Sequence, residues 1–97
     1  MVVSVAVCEL HLPGARSLKD KRRVVKSIVE RLHQRYRVSV AETDFHDLHQ
    51  RAEISIAAVG RGQGEMEELM QRLRSLLDGE VEAFVTHWEP QFLEAGR

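Results

Sequence analysis

Residues 17–32 place the strongest constraint on how this chain can fold, because they combine an apolar seam with a dense basic stripe. In SLKDKRRVVKSIVERL and the residues just after it, apolar side chains recur at helical spacing, at Leu18, Val25, Ile28, Val29, Leu32 and Tyr36. Ser17 is typical of a helix N-cap, and Asp20, three residues later, of a capping-box variant. The segment therefore predicts an amphipathic helix that ends near Arg35 and buries one side.

Positive charge is concentrated in this same helix. Nine Lys and Arg oppose two acids in residues 14–37, a net charge of about +7, whereas the whole chain carries −1 and its remainder therefore about −8. Such a local field attracts polyanions. The helix N-terminus also favours an anion near Ser17 and Lys19. We predict nucleic-acid contacts from Arg16, Lys19, Lys21, Arg22, Arg23, Lys26 and Arg37. A solvated helix face, partly paired with the protein's own acids, is the alternative interpretation.

Length and composition place limits on the class of protein. Ninety-seven residues predict a single domain, residues 1–97, with one two-layer core. No apolar run approaches the roughly 20 residues of a membrane helix, so we expect no membrane partner. The first twelve residues lack the basic region and cleavage site of a signal peptide, and their Val-rich alternation is typical of a strand. The single cysteine, Cys8, fits a buried thiol in a reducing, cytoplasmic setting.

The order of elements indicates the fold class. Strands are predicted at residues 2–12, 37–43, 52–59 and 80–88, and helices at residues 17–35 and 65–77, with a tail after Pro90. The order β-α-β-β-α-β predicts an α+β, ferredoxin-like βαββαβ sandwich, in which two helices cover one face of a four-stranded antiparallel sheet. The first and third strands, rich in Val, Ile and Ala, should lie in the centre of the sheet.

The uncovered face of that sheet predicts an interface. If the alternate residues that include Leu10 and Ile54 face the helices, five apolar side chains face the other way, namely Val3, Val5, Val7, Ala57 and Val59. A large exposed apolar patch on a small protein usually marks an interaction site. We therefore predict a homodimer formed through the open sheet face.

Other motifs in the chain carry weaker signals. The loop DFHDLH places His46 and His49 beside two aspartates, but the spacing is short and no further ligand cluster supports it, so we predict a polar loop and no metal. The turn GRGQG lacks the Lys-Ser/Thr ending of a phosphate-binding loop. No nucleophile–base pair is visible, so we expect a non-catalytic protein without a cofactor.

A sheet-face mode of RNA binding is also not expected. That mode stacks bases on exposed aromatic side chains, whereas the third strand, AEISIAAV, has no aromatic or basic residue. Phe84 and Trp88 on the last strand are too few to replace such a platform. Any RNA contact should therefore come from the basic helix through backbone phosphates, with little sequence specificity.

Several short strings resemble the YlxP-like family of small uncharacterised bacterial proteins. They are Ser17-Leu18-Lys19 with Lys21-Arg22, then Ser39-Val40-Ala41-Glu42, then Asp47-Leu48 with Gln50-Arg51-Ala52. The resemblance implies a ferredoxin-like fold, a cytoplasmic location and no established activity. Members are often encoded beside translation and ribosome-maturation factors, which favours RNA or the ribosome as partner. The family often has Asn at the position of Arg37 and Trp at that of His49, so the resemblance does not carry over to this chain a role that needs the tryptophan ring.

The combined hypothesis is a small, non-catalytic protein that associates with RNA or the ribosome through its basic helix. Two other hypotheses stay open at this point. The apolar sheet face or the basic helix could dock a protein partner, or a paired-subunit arrangement of this scaffold could sense a small ligand.

Overall fold

The computed structural model describes residues 1–96 and has the predicted order of elements. These are β1 (Val2–His11), α1 (Leu18–Arg35), β2 (Ser39–Asp44), β3 (Arg51–Gly60), α2 (Gln63–Asp78) and β4 (Phe84–Glu94). The strands form one antiparallel sheet in the order β2-β3-β1-β4. The ferredoxin-like α+β prediction is confirmed, and so is the central position of β1 and β3.

The core lies between the sheet and the two helices. Alternate residues of β1 and β3 face the helices, as period-two strands require, and are buried. The core includes Leu10, Ile54 and Ile56 in the sheet, Val24, Val25, Ile28 and Leu32 in α1, and Met66, Met70, Leu73 and Leu77 in α2. Cys8 is among the buried residues, and burial raises the pKa of its thiol to about 12. The thiol is thus an apolar part of the core, as the sequence predicts.

β4 differs from its predicted bounds. The sequence predicts a strand at residues 80–88 and a tail after Pro90, whereas β4 begins at Phe84 and runs through Pro90 to Glu94. β4 is an edge strand, and an edge strand tolerates proline because one side of its backbone has no ladder partner. Residues 80–83 instead connect α2 to β4, and this change places two acids, Glu80 and Glu82, beside α1.

The open face of the sheet has two unlike ends. At one end Val3 lies opposite Val59 on β3 and opposite Leu93 on β4, and the predicted patch of Val3, Val5, Val7, Ala57 and Val59 does face away from the helices. At the other end Glu9 lies opposite Glu53 and His87. Only the apolar end is predicted by the sequence pattern.

No helix within residues 1–96 combines the length and the apolar character needed to cross a bilayer.

Candidate nucleic-acid interface

The N-terminus of α1 is capped as predicted. The Ser17 hydroxyl accepts a hydrogen bond of 3.1 Å from the backbone N–H of Asp20, and the Asp20 carboxylate accepts one of 2.9 Å from the backbone N–H of Arg16. The carboxylate of Asp20 thus lies at the positive end of the helix dipole. A phosphate at this helix end would therefore meet the charge of the Asp20 carboxylate as well as the helix dipole.

Lys21 is buried inside the protein, although the sequence analysis counted it among the RNA contacts. Its side chain is almost completely buried, and its ammonium lies 2.9 Å from a Glu42 carboxylate oxygen. The same ammonium donates hydrogen bonds to the backbone carbonyls of Phe45 at 2.7 Å and Arg51 at 3.1 Å. Lys21 is therefore removed from the set of cations that an outside phosphate can reach.

Two further cations of α1 are paired with the protein's own acids. Arg23 makes a two-pronged contact with Glu82, at 3.1 and 3.4 Å, and Arg31 lies 2.5 Å from Glu80. The hydrogen bond to Glu82 raises the pKa of the exposed Arg23 guanidinium. Both acids belong to the connection between α2 and β4, so the side of α1 that faces this connection is neutralised.

Lys19, Arg22 and Lys26 form the free part of the basic stripe. All three are exposed, and within residues 1–96 none of them has an ion-pair partner. Their spacing of three and four residues places them on the outward side of α1 over about 10 Å of helix axis. We call these three residues the cationic stripe. Arg16 and Arg37, also exposed and without an ion pair in this part of the chain, extend it beyond the two ends of α1.

The loop between β2 and β3, residues 45–50, lies beside the start of α1. Lys21 holds its two flanks through the carbonyls of Phe45 and Arg51. Phe45 adopts a positive φ of 61°, which is rare for a bulky side chain, and its ring lies 3.9 Å below the Arg51 guanidinium. Four side chains of the loop point to solvent, namely His46, Asp47, Leu48 and His49.

Sequence reasoning missed the link between this loop and α1. The available signal was the helical wheel, on which Lys21 falls between Val25 and Ile28, on the buried side of α1. A lysine among apolar residues at that angle requires an internal carboxylate or carbonyl partner. The position of that partner, Glu42, was not available from the wheel.

A cluster of metal ligands and a surface groove are two other features that could bind a ligand. Across residues 1–96 no three His, Cys, Asp or Glu side chains gather in a way that would hold a metal ion, and this includes the loop with His46 and His49. An open groove of about 830 Å³ separates the end of α1 from α2 and is lined in part by Arg35, Tyr36 and Arg72. Arg72 is itself paired with Glu68 at 2.6 Å.

Comparison with known proteins identifies the family. Residues 3–89 match the family described as "Protein of unknown function (DUF503)". The chain belongs to the DUF503 family. It is also 34% identical over 90 residues to the "Uncharacterized protein YlxP" of Bacillus subtilis (strain 168), in an alignment that covers 91% of this chain and 98% of that protein. The resemblance to YlxP-like proteins noted from the sequence strings is thus confirmed.

The part of the chain that matches DUF503 contains the cationic stripe, the buried Lys21 and the loop of residues 45–50. The family description names no activity. Any function of this DUF503 protein must therefore be argued from the chemistry of its own surface.

Proposed function

We propose that this DUF503 protein is a non-catalytic RNA-binding protein that holds RNA or the ribosome by phosphate contacts along α1. The observation that carries the proposal is the cationic stripe, Lys19, Arg22 and Lys26, which is exposed and has no ion pair within residues 1–96. Arg16 and Arg37 supply further contacts at its ends. The location that this proposal implies is the cytoplasm, where free RNA and ribosomes occur.

The pairing of the neighbouring cations supports an external partner for the stripe. Arg23 and Arg31 have the protein's own acids as partners, which is the behaviour expected of a solvated, self-neutralised helix face. The three residues of the stripe lie on the same helix, in a chain whose remaining charge is negative, yet among residues 1–96 no acid pairs with them. An extended polyanion supplies several phosphates at once, whereas a single small anion would engage only one or two of these cations.

The chemistry of the stripe indicates which kind of RNA contact it makes. The Arg22 guanidinium offers a planar fork that matches two phosphate oxygens, and Lys19 and Lys26 are flexible point charges. Contacts of this kind position a protein on a backbone and carry no base information. The proposal is therefore of moderate-affinity, salt-sensitive binding with little sequence preference from α1 itself.

Reversing charges on the stripe tests the proposal. In a double variant, Arg22→Glu and Lys26→Glu, we expect binding of a fluorescently labelled single-stranded RNA to be lost. For the wild-type protein, three to five phosphate contacts predict a slope of about −2 to −3.5 in log affinity against log salt concentration. Fluorescence anisotropy over a salt series measures both quantities, with purified ribosomal subunits as a second ligand to separate free RNA from ribosomal RNA.

A matched control separates the stripe from the net charge of the protein. Arg61→Glu with Arg72→Glu makes the same change in net charge at two exposed positions away from the outward face of α1. This control should leave RNA affinity within about twofold of wild type. Equal losses in the two double variants, or unchanged binding in the first, would contradict the proposal.

A second candidate function is self-association through the open sheet face. Val59 and Leu93 are 65% and 64% exposed and lie at the apolar end of that face. A two-fold axis through this end would bring the two apolar halves together and keep the Glu9 and Glu53 ends of the two copies apart. The partner we propose for this face is therefore a second copy of the chain, in the predicted homodimer.

A further inference from the structure

We infer that the loop of residues 45–50 contacts unpaired bases of the same RNA whose phosphates lie along α1. This inference rests on the proposed RNA binding and adds to it a preference for looped or single-stranded RNA over a duplex. Three features of the loop support it, namely its attachment to α1, its fixed conformation and the side chains that it exposes.

The loop is attached directly to the basic helix. The Lys21 ammonium reaches the carbonyl of Phe45 at 2.7 Å and that of Arg51 at 3.1 Å, so one side chain of α1 holds both flanks of the loop. Lys21 itself points to the sheet, away from the cationic stripe, so the link between the loop and the stripe lies at the start of α1. There the Gln50 side chain of the loop donates to the carbonyl of Ala15, and the next residue is Arg16, which extends the stripe. A strand of RNA that lies on the stripe and reaches Arg16 is consequently close to the loop.

A second set of hydrogen bonds fixes the other side of the loop. The side-chain amide of Gln50 donates to the carbonyls of Pro13 and Ala15, at 3.3 and 3.4 Å. The backbone carbonyl of Gln50 accepts from the N–H of Leu12 at 2.9 Å. The loop is thus joined to the connection between β1 and α1 as well as to α1 itself.

The conformation of the loop is unusual as well as fixed. Phe45 holds a positive φ of 61°, and the contact of its ring with Arg51 at 3.9 Å keeps it there. Residues held in such sparsely populated backbone regions cluster at sites of binding and catalysis. A loop that is already ordered loses little further conformational freedom when it binds a ligand.

The side chains exposed on this loop suit nucleobases. His46 and His49 present planar imidazole rings, Leu48 presents an apolar surface, and all three are exposed. A 3.2 Å contact between the His46 ring and the carbonyl of Glu42 orients one of the rings. Histidine is among the side chains on which splayed-out RNA bases stack, whereas paired bases in an A-form helix are not available for such contacts.

Substituting the two histidines tests the inference. The ligands are a labelled RNA hairpin with a six-nucleotide loop and a blunt RNA duplex of the same length, and the measurement is their affinity at one salt concentration. We expect wild type to prefer the hairpin, and the double variant His46→Ala with His49→Ala to lose about fivefold or more of its hairpin affinity. Duplex affinity should change less than twofold.

Further variants distinguish base stacking on the histidines from an effect of their charge or of a damaged fold. The single variant His49→Phe, in which His46 is unchanged, should retain hairpin binding, because phenylalanine keeps a stacking surface. His87→Ala, at an exposed histidine on the open sheet face, should leave both affinities unchanged. A wild-type protein without hairpin preference, or a histidine double variant that weakens both ligands equally or neither, overturns the inference.

The test also separates this inference from the proposed function. If Arg22→Glu with Lys26→Glu weakens both ligands while the histidine variants weaken neither, the phosphate contacts stand and the base contacts fail. If the charge reversals change neither affinity, the RNA-binding proposal itself fails, and the inference fails with it.

Discussion

At the scale of single residues, Lys21 shows how a basic side chain in a basic helix can have a structural role. Its ammonium has three internal partners, namely the Glu42 carboxylate and the carbonyls of Phe45 and Arg51. A buried charge is tolerated only when it is paired and hydrogen-bonded, and here both conditions are met. Removing the lysine would leave the Glu42 carboxylate, whose side chain is only 20% exposed, without its cation.

Lys21→Ala should lower the free energy of unfolding by roughly 3–5 kcal/mol, because breaking a buried ion pair strands the remaining charge. The double variant Lys21→Met with Glu42→Gln should recover part of that loss, since no unpaired charge is then buried. Urea denaturation, monitored by circular dichroism, measures the free energy of unfolding of the wild type and of the two variants.

The control for this prediction is Lys19→Ala, two residues earlier on the exposed side of α1. It should change the free energy of unfolding by no more than about 0.5 kcal/mol. Similar urea midpoints for Lys21→Ala and Lys19→Ala would show that the Lys21 contacts contribute nothing to stability.

At the scale of one element, α1 combines local and long-range determinants. Its start is set locally, because the Ser17 hydroxyl accepts from the Asp20 N–H that the first turn leaves free, and the Asp20 carboxylate accepts from the N–H of Arg16 just before the helix. Its orientation is set by the buried seam that includes Ile28 and Leu32. Because the seam points to the sheet, the opposite side of the helix carries the cationic stripe to the surface.

Ser17→Ala should destabilise the protein by about 1 kcal/mol through the loss of the N-cap hydrogen bond. For a domain of this size, that loss corresponds to a fall of roughly 4–8 °C in the melting temperature. Differential scanning calorimetry provides the measurement. Ser27→Ala, at an exposed position inside α1, is the matched control and should not lower the melting temperature, because alanine favours a helix interior. A Ser17→Ala melting temperature equal to that of wild type would contradict the assigned cap.

At the scale of the whole molecule, two surfaces with different chemistry lie on opposite sides of the sheet. The helical side carries the cationic stripe, and the open side carries an apolar end and a charged end, where Glu9 pairs with Arg51 at 2.9 Å. With ten-residue central strands, the open face measures about 33 by 19 Å, or roughly 600 Å² of flat area. Overlap of the apolar halves alone covers about half of that area, which is less than the roughly 800 Å² per partner of a standard interface.

The predicted homodimer should therefore be weak and should form in a concentration-dependent way. Val59→Glu with Leu93→Glu should abolish it, because the variant places two charges in the apolar half of the face. Sedimentation equilibrium, from micromolar to several hundred micromolar protein, measures the mass.

Val81→Glu is the control for the dimer prediction, since Val81 is an exposed valine in the connection between α2 and β4, away from the sheet face. This variant should associate as wild type does. A wild-type mass equal to that of one chain at every concentration would contradict self-association through this face.

Local sequence patterns were sufficient for the order of the elements and for the overall topology. The helical seam and its cap predicted α1, which begins at Leu18 and ends at Arg35, and the alternation of β1 and β3 predicted which residues are buried. These features depend on residues close together in the chain and on the two periodicities of regular structure. The excess of positive charge in residues 14–37 is likewise a property of the sequence alone.

Contacts between distant residues decided which of those charges are free. The sequence could not show that Lys21 would meet Glu42, or that Arg23 and Arg31 would meet acids of the connection after α2, because these pairs are separated by about 20 to 60 positions. The extension of β4 through Pro90 also required its place at the edge of the sheet. An ion pair depends on a distance of a few ångströms, and only the packing of α1 against the sheet and the connections brings these groups that close.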